Sequence, residues 1–98
     1  MDAANAAADA LIAQVRDVPE RQRYELAVGA AVAFIDYRKS AGSVAMVHAE
    51  VPTQLGGRGV GTALVRGALR LARAEQRTVQ PLCPFVAAVM KRHPEPGA

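Results

Sequence analysis

The sequence predicts an α+β domain (α/β/α-like in its layering) with a mostly antiparallel sheet and the element order (α)-β-β-β-α-β-α. Three observations predict this class. Between residues 24 and 51, segments with strand-like alternation are separated by glycine turns. A glycine-rich stretch at residues 56–61 then leads into a segment with helical periodicity. A short strand-like segment and a second helix follow it, which completes the order.

The first fifteen residues are dominated by alanine, and Leu11, Ile12 and Val15 are their large apolar side chains. Alanine favours helix, but a helix of this segment would have too little apolar surface to pack firmly on a core. We therefore expect residues 1–15 to form a helical or frayed extension. The domain itself should occupy residues 16–94.

Three strands are predicted at residues 24–28, 31–37 and 44–51, with turns at Gly29 and at residues 40–43. Side chains alternate between the two faces of a strand. Strict alternation along the third strand would therefore place four side chains on one face: Val44, Met46, His48 and Glu50.

Residues 62–76 have the periodicity of an amphipathic helix, with an apolar stripe on one face and arginines on another. A short strand is predicted at residues 78–80. The last helix should begin at Pro84, because proline suits the first helical position, and should run to about Arg92. That start makes Cys83 the N-cap residue.

Composition indicates an ordinary globular domain with a mild bias towards anionic ligands. Of the 98 residues, 51% are hydrophobic and 21% are charged, and the net charge of +3 is only mildly basic. We expect no nucleic-acid partner, because the arginine-bearing helix carries no aromatic side chain. We expect no membrane partner, because no uncharged run is long enough to span a bilayer. One cysteine excludes an internal disulfide, which suits the cytoplasm.

The glycine-rich stretch predicts a phosphate site. Four glycines in six residues, at positions 56, 57, 59 and 61, allow close backbone approach to a ligand, and the following helix adds unpaired N–H groups. A dinucleotide fingerprint fits poorly, since no βαβ unit of that kind is present. A nucleotide P-loop does not fit, because no Gly-Lys-Ser/Thr follows. A third interpretation is the pyrophosphate loop of acyl-CoA acetyltransferases.

Several motifs occur in the order found in one family: Tyr37-Arg38, His48-Ala49-Glu50-Val51-Pro52, Gly57-Arg58-Gly59-Val60-Gly61, Pro81-Leu82-Cys83-Pro84-Phe85-Val86 and Arg92-His93-Pro94. Through these motifs the chain resembles a family of minimal GNAT-like acetyltransferases. The resemblance implies a truncated GNAT fold that uses acetyl-CoA as co-substrate, needs no metal and acetylates an amine-bearing acceptor.

The resemblance also implies which residues hold acetyl-CoA. Backbone groups near Glu50 and Val51 would pair with the pantetheine arm. The pyrophosphate would lie on the glycine loop and the start of the helix. The superfamily pattern has Gln or Arg where this chain has glycine, so backbone N–H groups and an arginine would carry more of the binding. The residues concerned are Gly56, Gly57, Arg58, Gly59, Val60, Gly61 and Thr62.

Three residues are candidates for catalysis. A thiolate at Cys83 would be stabilised by the positive end of the helix dipole, although a lone cysteine is most often a small buried hydrophobe. His48 is a candidate base, or a partner that takes a proton from Cys83, or else a sheet histidine without a catalytic role. Glu50 competes with His48 as the base, unless it is an exposed strand carboxylate.

The sequence leaves two chemical routes open: direct transfer to the acceptor, or transfer through an acetyl-cysteine at Cys83. The alternative is a non-catalytic CoA-binding or protein-interaction module. A metal site formed by His48, Cys83 and His93 is not expected, because these residues lack the close paired spacing of zinc ligands. The sequence is compatible with a monomer or a homodimer.

Overall fold

A computed structural model describes residues 3–94 of the chain. Residues 1 and 2 of the predicted extension lie outside the described residues. Two short 3-10 turns, Pro19–Arg21 and Thr53–Leu55, interrupt the loops. The helices and strands are α1 (Ala3–Ala13), β1 (Arg16–Val18), β2 (Arg23–Val28), β3 (Ala31–Ser40), β4 (Ser43–Glu50), α2 (Val60–Ala74), β5 (Thr78–Pro81) and α3 (Pro84–Arg92).

The strands form one five-stranded sheet in the order β1-β2-β3-β4-β5. The first four strands pair antiparallel, and β5 pairs parallel with β4 because α2 crosses over between them. This confirms the α+β class. The sequence did not predict β1, a three-residue strand with one buried side chain, Val18. Its place is decided by pairing with β2, where Asp17 lies opposite Tyr24.

One face of the sheet carries the hydrophobic core. All three helices contribute side chains to this core, so the described residues form two layers rather than an α/β/α sandwich. The opposite face, which we call the open face, contributes nothing to it. The core side chains of the sheet are Tyr24, Leu26, Ala33, Ile35, Tyr37, Val44 and Met46.

A β-bulge interrupts β4 at Val47. Asp36 pairs with His48 and Tyr37 pairs with Met46, so Val47 has no partner in the register. The extra residue shifts the alternation by one position. The prediction that His48 and Glu50 share a face with Val44 and Met46 was therefore wrong, and both side chains lie on the open face.

Two predicted boundaries also moved. The α2 helix begins at Val60, two residues before the predicted start, because Gly59 takes a left-handed φ of 72° as N-cap and its carbonyl accepts the Ala63 N–H at 3.0 Å. The β3 strand continues to Ser40, beyond the predicted end at residue 37. Its hairpin is tight: Ser40 pairs with Ser43, and Gly42 has a φ of 71°.

The α1 helix docks on α2 more closely than its composition indicates. Ile12 and Val15 are 3% and 6% exposed and belong to the core. A Cβ atom on Gly67 would lie 2.3 Å from Val15 Cγ2 and 2.8 Å from the Ile12 carbonyl oxygen, so the glycine allows close helix approach. The domain boundary after residue 15 stays a prediction.

We expect Gly67→Ala to destabilise the protein. Alanine gains helix propensity, worth about 1 kcal/mol, but the new methyl group overpacks the α1–α2 contact at a cost of roughly 1–3 kcal/mol. Urea denaturation should show a lower free energy of unfolding. The same substitution should cost less in a Val15→Gly background, where both side-chain atoms of Val15 that a Gly67 Cβ would meet, Cγ2 and Cβ, are gone. A Gly67→Ala variant as stable as the parent would mean that α1 does not pack here.

Two tyrosines, Tyr24 and Tyr37, are in contact in the core, with ring centroids 4.8 Å apart and ring planes tilted by 51°. The Tyr37 hydroxyl donates to Asp17 Oδ1 at 2.6 Å, and Lys39 Nζ donates to Asp17 Oδ2 at 2.6 Å. The Tyr24 hydroxyl is buried without a hydrogen-bond partner among the described residues. Burial raises the pKa of Tyr24 to about 12. Burial and the hydrogen bond to Asp17 also raise the pKa of Tyr37.

We expect opposite outcomes for the two Tyr→Phe variants. Tyr24→Phe should leave stability unchanged or raise it by up to about 1 kcal/mol, because it removes a buried unpaired hydroxyl. Tyr37→Phe should cost about 1–3 kcal/mol, because Asp17 loses a hydrogen bond. Urea denaturation of both variants at pH 7 checks this. Equal losses of unfolding free energy in the two variants would contradict the finding that only the Tyr37 hydroxyl of this pair has a hydrogen-bond partner.

The parent should also lose stability in alkali. Both tyrosines hold their protons more tightly in the folded state, so their contribution is complete below the ordinary pKa of 10.0 and declines as the pH rises towards about 12. Denaturation between pH 9 and pH 12 measures this decline, which should be smaller in Tyr24→Phe than in the parent.

Candidate active site

The β4 strand connects every part of the candidate site. It carries the bulge at Val47 and then His48 and Glu50. Directly after it, Val51 packs against the core and the Thr53–Leu55 turn buries Leu55, which anchors the glycine loop. The loop then enters α2. A single continuous segment thus carries two of the three predicted catalytic residues, His48 and Glu50, together with the predicted cofactor-binding residues.

The structure brings His48 and Glu50 together. His48 Nε2 lies 3.3 Å from Glu50 Oε1, and their side chains are 55% and 61% exposed. Asp36 and Phe34 lie opposite them on β3, and the Phe34 and His48 ring centroids are 6.4 Å apart. A ligand on the open face could therefore reach an imidazole and a carboxylate at the same point.

The neighbouring part of the open face holds an ordered charged cluster that the sequence analysis missed. The Arg23 guanidinium lies 3.8 Å from the centroid of the Phe34 ring, and its Nε is 3.5 Å from Asp36 Oδ1. Glu25 is only 6% exposed and accepts a hydrogen bond from Arg21 Nη1 at 3.1 Å. Alternation along β2 could have shown that Arg23 and Glu25 lie on the face opposite Tyr24 and Leu26. Their partners on β3 and in the preceding turn, however, depend on the strand register.

Cys83 is the N-cap of α3, as predicted, and Pro84 is the first helical residue. Its N–H donates to the Met46 carbonyl oxygen at 3.1 Å, which ties the start of α3 to β4 next to the bulge. The thiol is 8% exposed, belongs to the core and makes no capping hydrogen bond. The structure therefore places Cys83 on the core side, whereas His48 lies on the open face.

The sheet opens where β4 and β5 part. Their register runs only from Ser43 and Thr78 to Met46 and Pro81. Beyond that pair β4 continues to Glu50, while the other chain segment turns through Leu82 into α3. The last part of β4 therefore has no β5 partner among the described residues, and this edge faces the start of α3. An extended ligand could pair with such an edge.

The glycines of the loop differ in their backbone conformation and position. Gly57 and Gly59 have φ angles of 77° and 72°, which other residues rarely adopt. Gly56 has an ordinary φ of −60°. Gly61 lies inside the first turn of α2. The N–H groups of this turn have no partner one turn earlier, which suits an anion, and Arg58 is exposed beside them. The residues of this turn are Val60, Gly61 and Thr62.

The described residues contain no group of three or more His, Cys, Asp or Glu side chains that could hold a metal ion. His93, the third residue weighed as a ligand, is the C-cap of α3. No helix in this part of the chain is long and apolar enough to cross a membrane.

Comparison with known proteins agrees with the fold. Residues 23–97 match the family described as GCN5-related N-acetyl-transferase, so the chain belongs to that family. The match covers the whole sheet except β1, together with the glycine loop and the last two helices. No curated protein matches the chain. Membership supports acyltransferase activity in general and acetyl-CoA as the typical co-substrate of the family.

We expect Gly59→Ala to cost about 1 kcal/mol through backbone conformation alone, because alanine is disfavoured at positive φ. An added Cβ at Gly59 would meet nothing within 4 Å, so packing does not contribute. Gly59→Asn is the matched control, since asparagine tolerates the left-handed region better. Urea denaturation should rank stability as Gly, Asn, Ala. Equal stability of the Ala variant and the parent would contradict the left-handed N-cap.

Proposed function

We propose that the protein is an acetyl-CoA-dependent N-acetyltransferase that transfers the acetyl group directly to an amine on the open face. The observation that carries the proposal is the bulge at Val47. It turns His48 and Glu50 to the open face at the point where β5 leaves β4, and the same strand continues into the glycine loop. Acceptor and co-substrate can thus meet across one strand.

Acetyl-CoA would bind along the core-side edge of β4. Its pyrophosphate would accept hydrogen bonds from the first turn of α2, where N–H groups and the positive end of the helix dipole favour an anion. Arg58 would add positive charge in place of the side chain that Gly56 lacks. The pantetheine arm would pair with the unpartnered β4 edge near Glu50 and Val51. The thioester would then lie near the bulge, between Cys83 and His48.

The open face supplies what an amine acceptor needs. An alkyl amine is protonated at neutral pH, and the carboxylates of Asp36 and Glu50 would attract it. The amine must then lose a proton before it attacks, and His48 and Glu50 are placed to accept one. Attack forms the C–N bond and breaks the C–S bond, so CoA leaves as a thiolate that takes up a proton. Of the two, His48 is the candidate base, and Glu50 is within 3.3 Å to orient it.

Cys83 lines the site in this proposal and takes no acetyl group. Its thiol is buried in the core, and its side chain lies on the other side of the sheet from the His48–Glu50 pair. The second candidate route, transfer through an acetyl-cysteine, is favoured by its position as the N-cap of α3, where the helix dipole stabilises a thiolate.

Acetyl transfer by the full chain should be tested with acetyl-CoA and a panel of amines, together with calorimetry of acetyl-CoA binding. We expect His48→Gln and Glu50→Gln to lower kcat by roughly 10²-fold, the usual contribution of general base catalysis, with little change in acetyl-CoA affinity. Glu20→Gln removes an exposed carboxylate far from the site along the chain and should have no effect. Cys83→Ala should keep most of the activity.

Mass spectrometry after mixing with acetyl-CoA separates the routes. Direct transfer predicts no acetyl adduct on Cys83. An adduct that forms and then reacts with the amine, lost together with activity in Cys83→Ala, would establish the acetyl-cysteine route instead. Binding without turnover on any amine would favour a CoA-binding module. Absence of acetyl-CoA binding would overturn both functions.

A further inference from the structure

Phe85 lies where the first turns of α2 and α3 meet. A Cβ atom on Gly61 would be 2.8 Å from Phe85 Cζ, 3.2 Å from Cε2 and 3.3 Å from Val51 Cγ2. No side chain other than hydrogen fits at position 61 unless the ring moves. The missing side chain of Gly61 therefore leaves the space that the Phe85 ring occupies.

One part of the Phe85 ring packs against the start of α2, and another part of the residue is exposed to solvent. The ring packs against Gly61, yet 38% of the Phe85 residue remains exposed. It stands between the start of α2, where the pyrophosphate would bind, and Cys83, two residues earlier on α3. An apolar surface of this kind beside the end of β4 suits the methyl and methylene groups of a pantetheine arm, and offers nothing to a phosphate.

We propose that Phe85 binds the pantetheine arm of acetyl-CoA and makes the site select CoA thioesters over nucleotides that lack the arm. This inference rests on the proposed function. The ring forms one apolar wall of the passage from the glycine loop to the bulge, and the unpartnered β4 edge forms the polar wall. The loop recognises the anionic end of the ligand, and Phe85 recognises the arm.

Calorimetry with two probes tests the proposal: acetyl-CoA, and 3′-phosphoadenosine 5′-diphosphate, which keeps the pyrophosphate but has no arm. Phe85→Ala should weaken acetyl-CoA binding about tenfold, as expected from losing contact with the exposed third of a phenyl ring, and leave the nucleotide unchanged. The affinity of Phe85→Leu for acetyl-CoA should lie between those of the parent and of Phe85→Ala. Val32→Ala is the control, because Val32 is also 38% exposed but lies on β3.

A double-mutant cycle tests the seat of the ring. Gly61→Ala should displace Phe85 and weaken acetyl-CoA binding in the parent, but should add little in a Phe85→Ala background, because its effect passes through the ring. Additive losses would mean that Gly61 acts on the phosphate directly, and would overturn this part of the proposal. Circular dichroism of each variant checks folding, and Phe85→Leu remains informative if Phe85→Ala does not fold.

The outcomes separate this inference from the proposed function. If the parent does not bind acetyl-CoA, the proposed function fails. If the parent binds it and Phe85→Ala binds equally well or more tightly, the proposed function stands and the role of Phe85 is refuted. Equal weakening for acetyl-CoA and for the nucleotide also refutes it, because the ring would then support only the loop.

Discussion

The candidate site depends on one irregularity, the β-bulge at Val47 in β4. Before the bulge, Val44 and Met46 turn into the core; after it, Ala49 lies opposite Ile35 on the core face. A regular strand would have pointed His48 and Glu50 at the helices, where two titratable side chains would be buried at a high cost. One extra residue instead exposes them while the strand stays in the sheet. The core and the site can therefore use the same strand.

The glycine-rich stretch combines demands that differ from one position to the next. Gly57 and Gly59 supply left-handed backbone, and Gly59 thereby starts α2 at Val60. Gly61 makes room for the Phe85 ring. This division links the loop to α3: the helix that carries Cys83 at its N-cap packs through Phe85 on the helix that would receive the pyrophosphate. Such contacts let a small domain hold in a defined relation the two segments that would bind acetyl-CoA.

The two faces of the sheet are stabilised by different interactions. The helices cover one face with apolar side chains. Even the alanine-rich α1 contributes Ile12, and Val15 follows just after its end, because Gly67 lets this segment approach α2 closely. The open face is ordered by charge: Arg23 lies over Phe34 and beside Asp36, and Glu25 is buried against Arg21. These pairs keep the surface near His48 and Glu50 structured although none of the three described helices covers it.

The sequence by itself determined the features that arise from neighbouring residues: the class, the order of the elements apart from β1, the glycine loop between a strand and a helix, and Cys83 as the N-cap before Pro84. Only the tertiary structure decided the face on which His48 and Glu50 lie, the pairing of β1 and the contact between Gly61 and Phe85. Turn and capping preferences act over a few residues. The bulge at Val47, in contrast, depends on the register between β3 and β4, and the contact between Gly61 and Phe85 depends on how α2 and α3 pack.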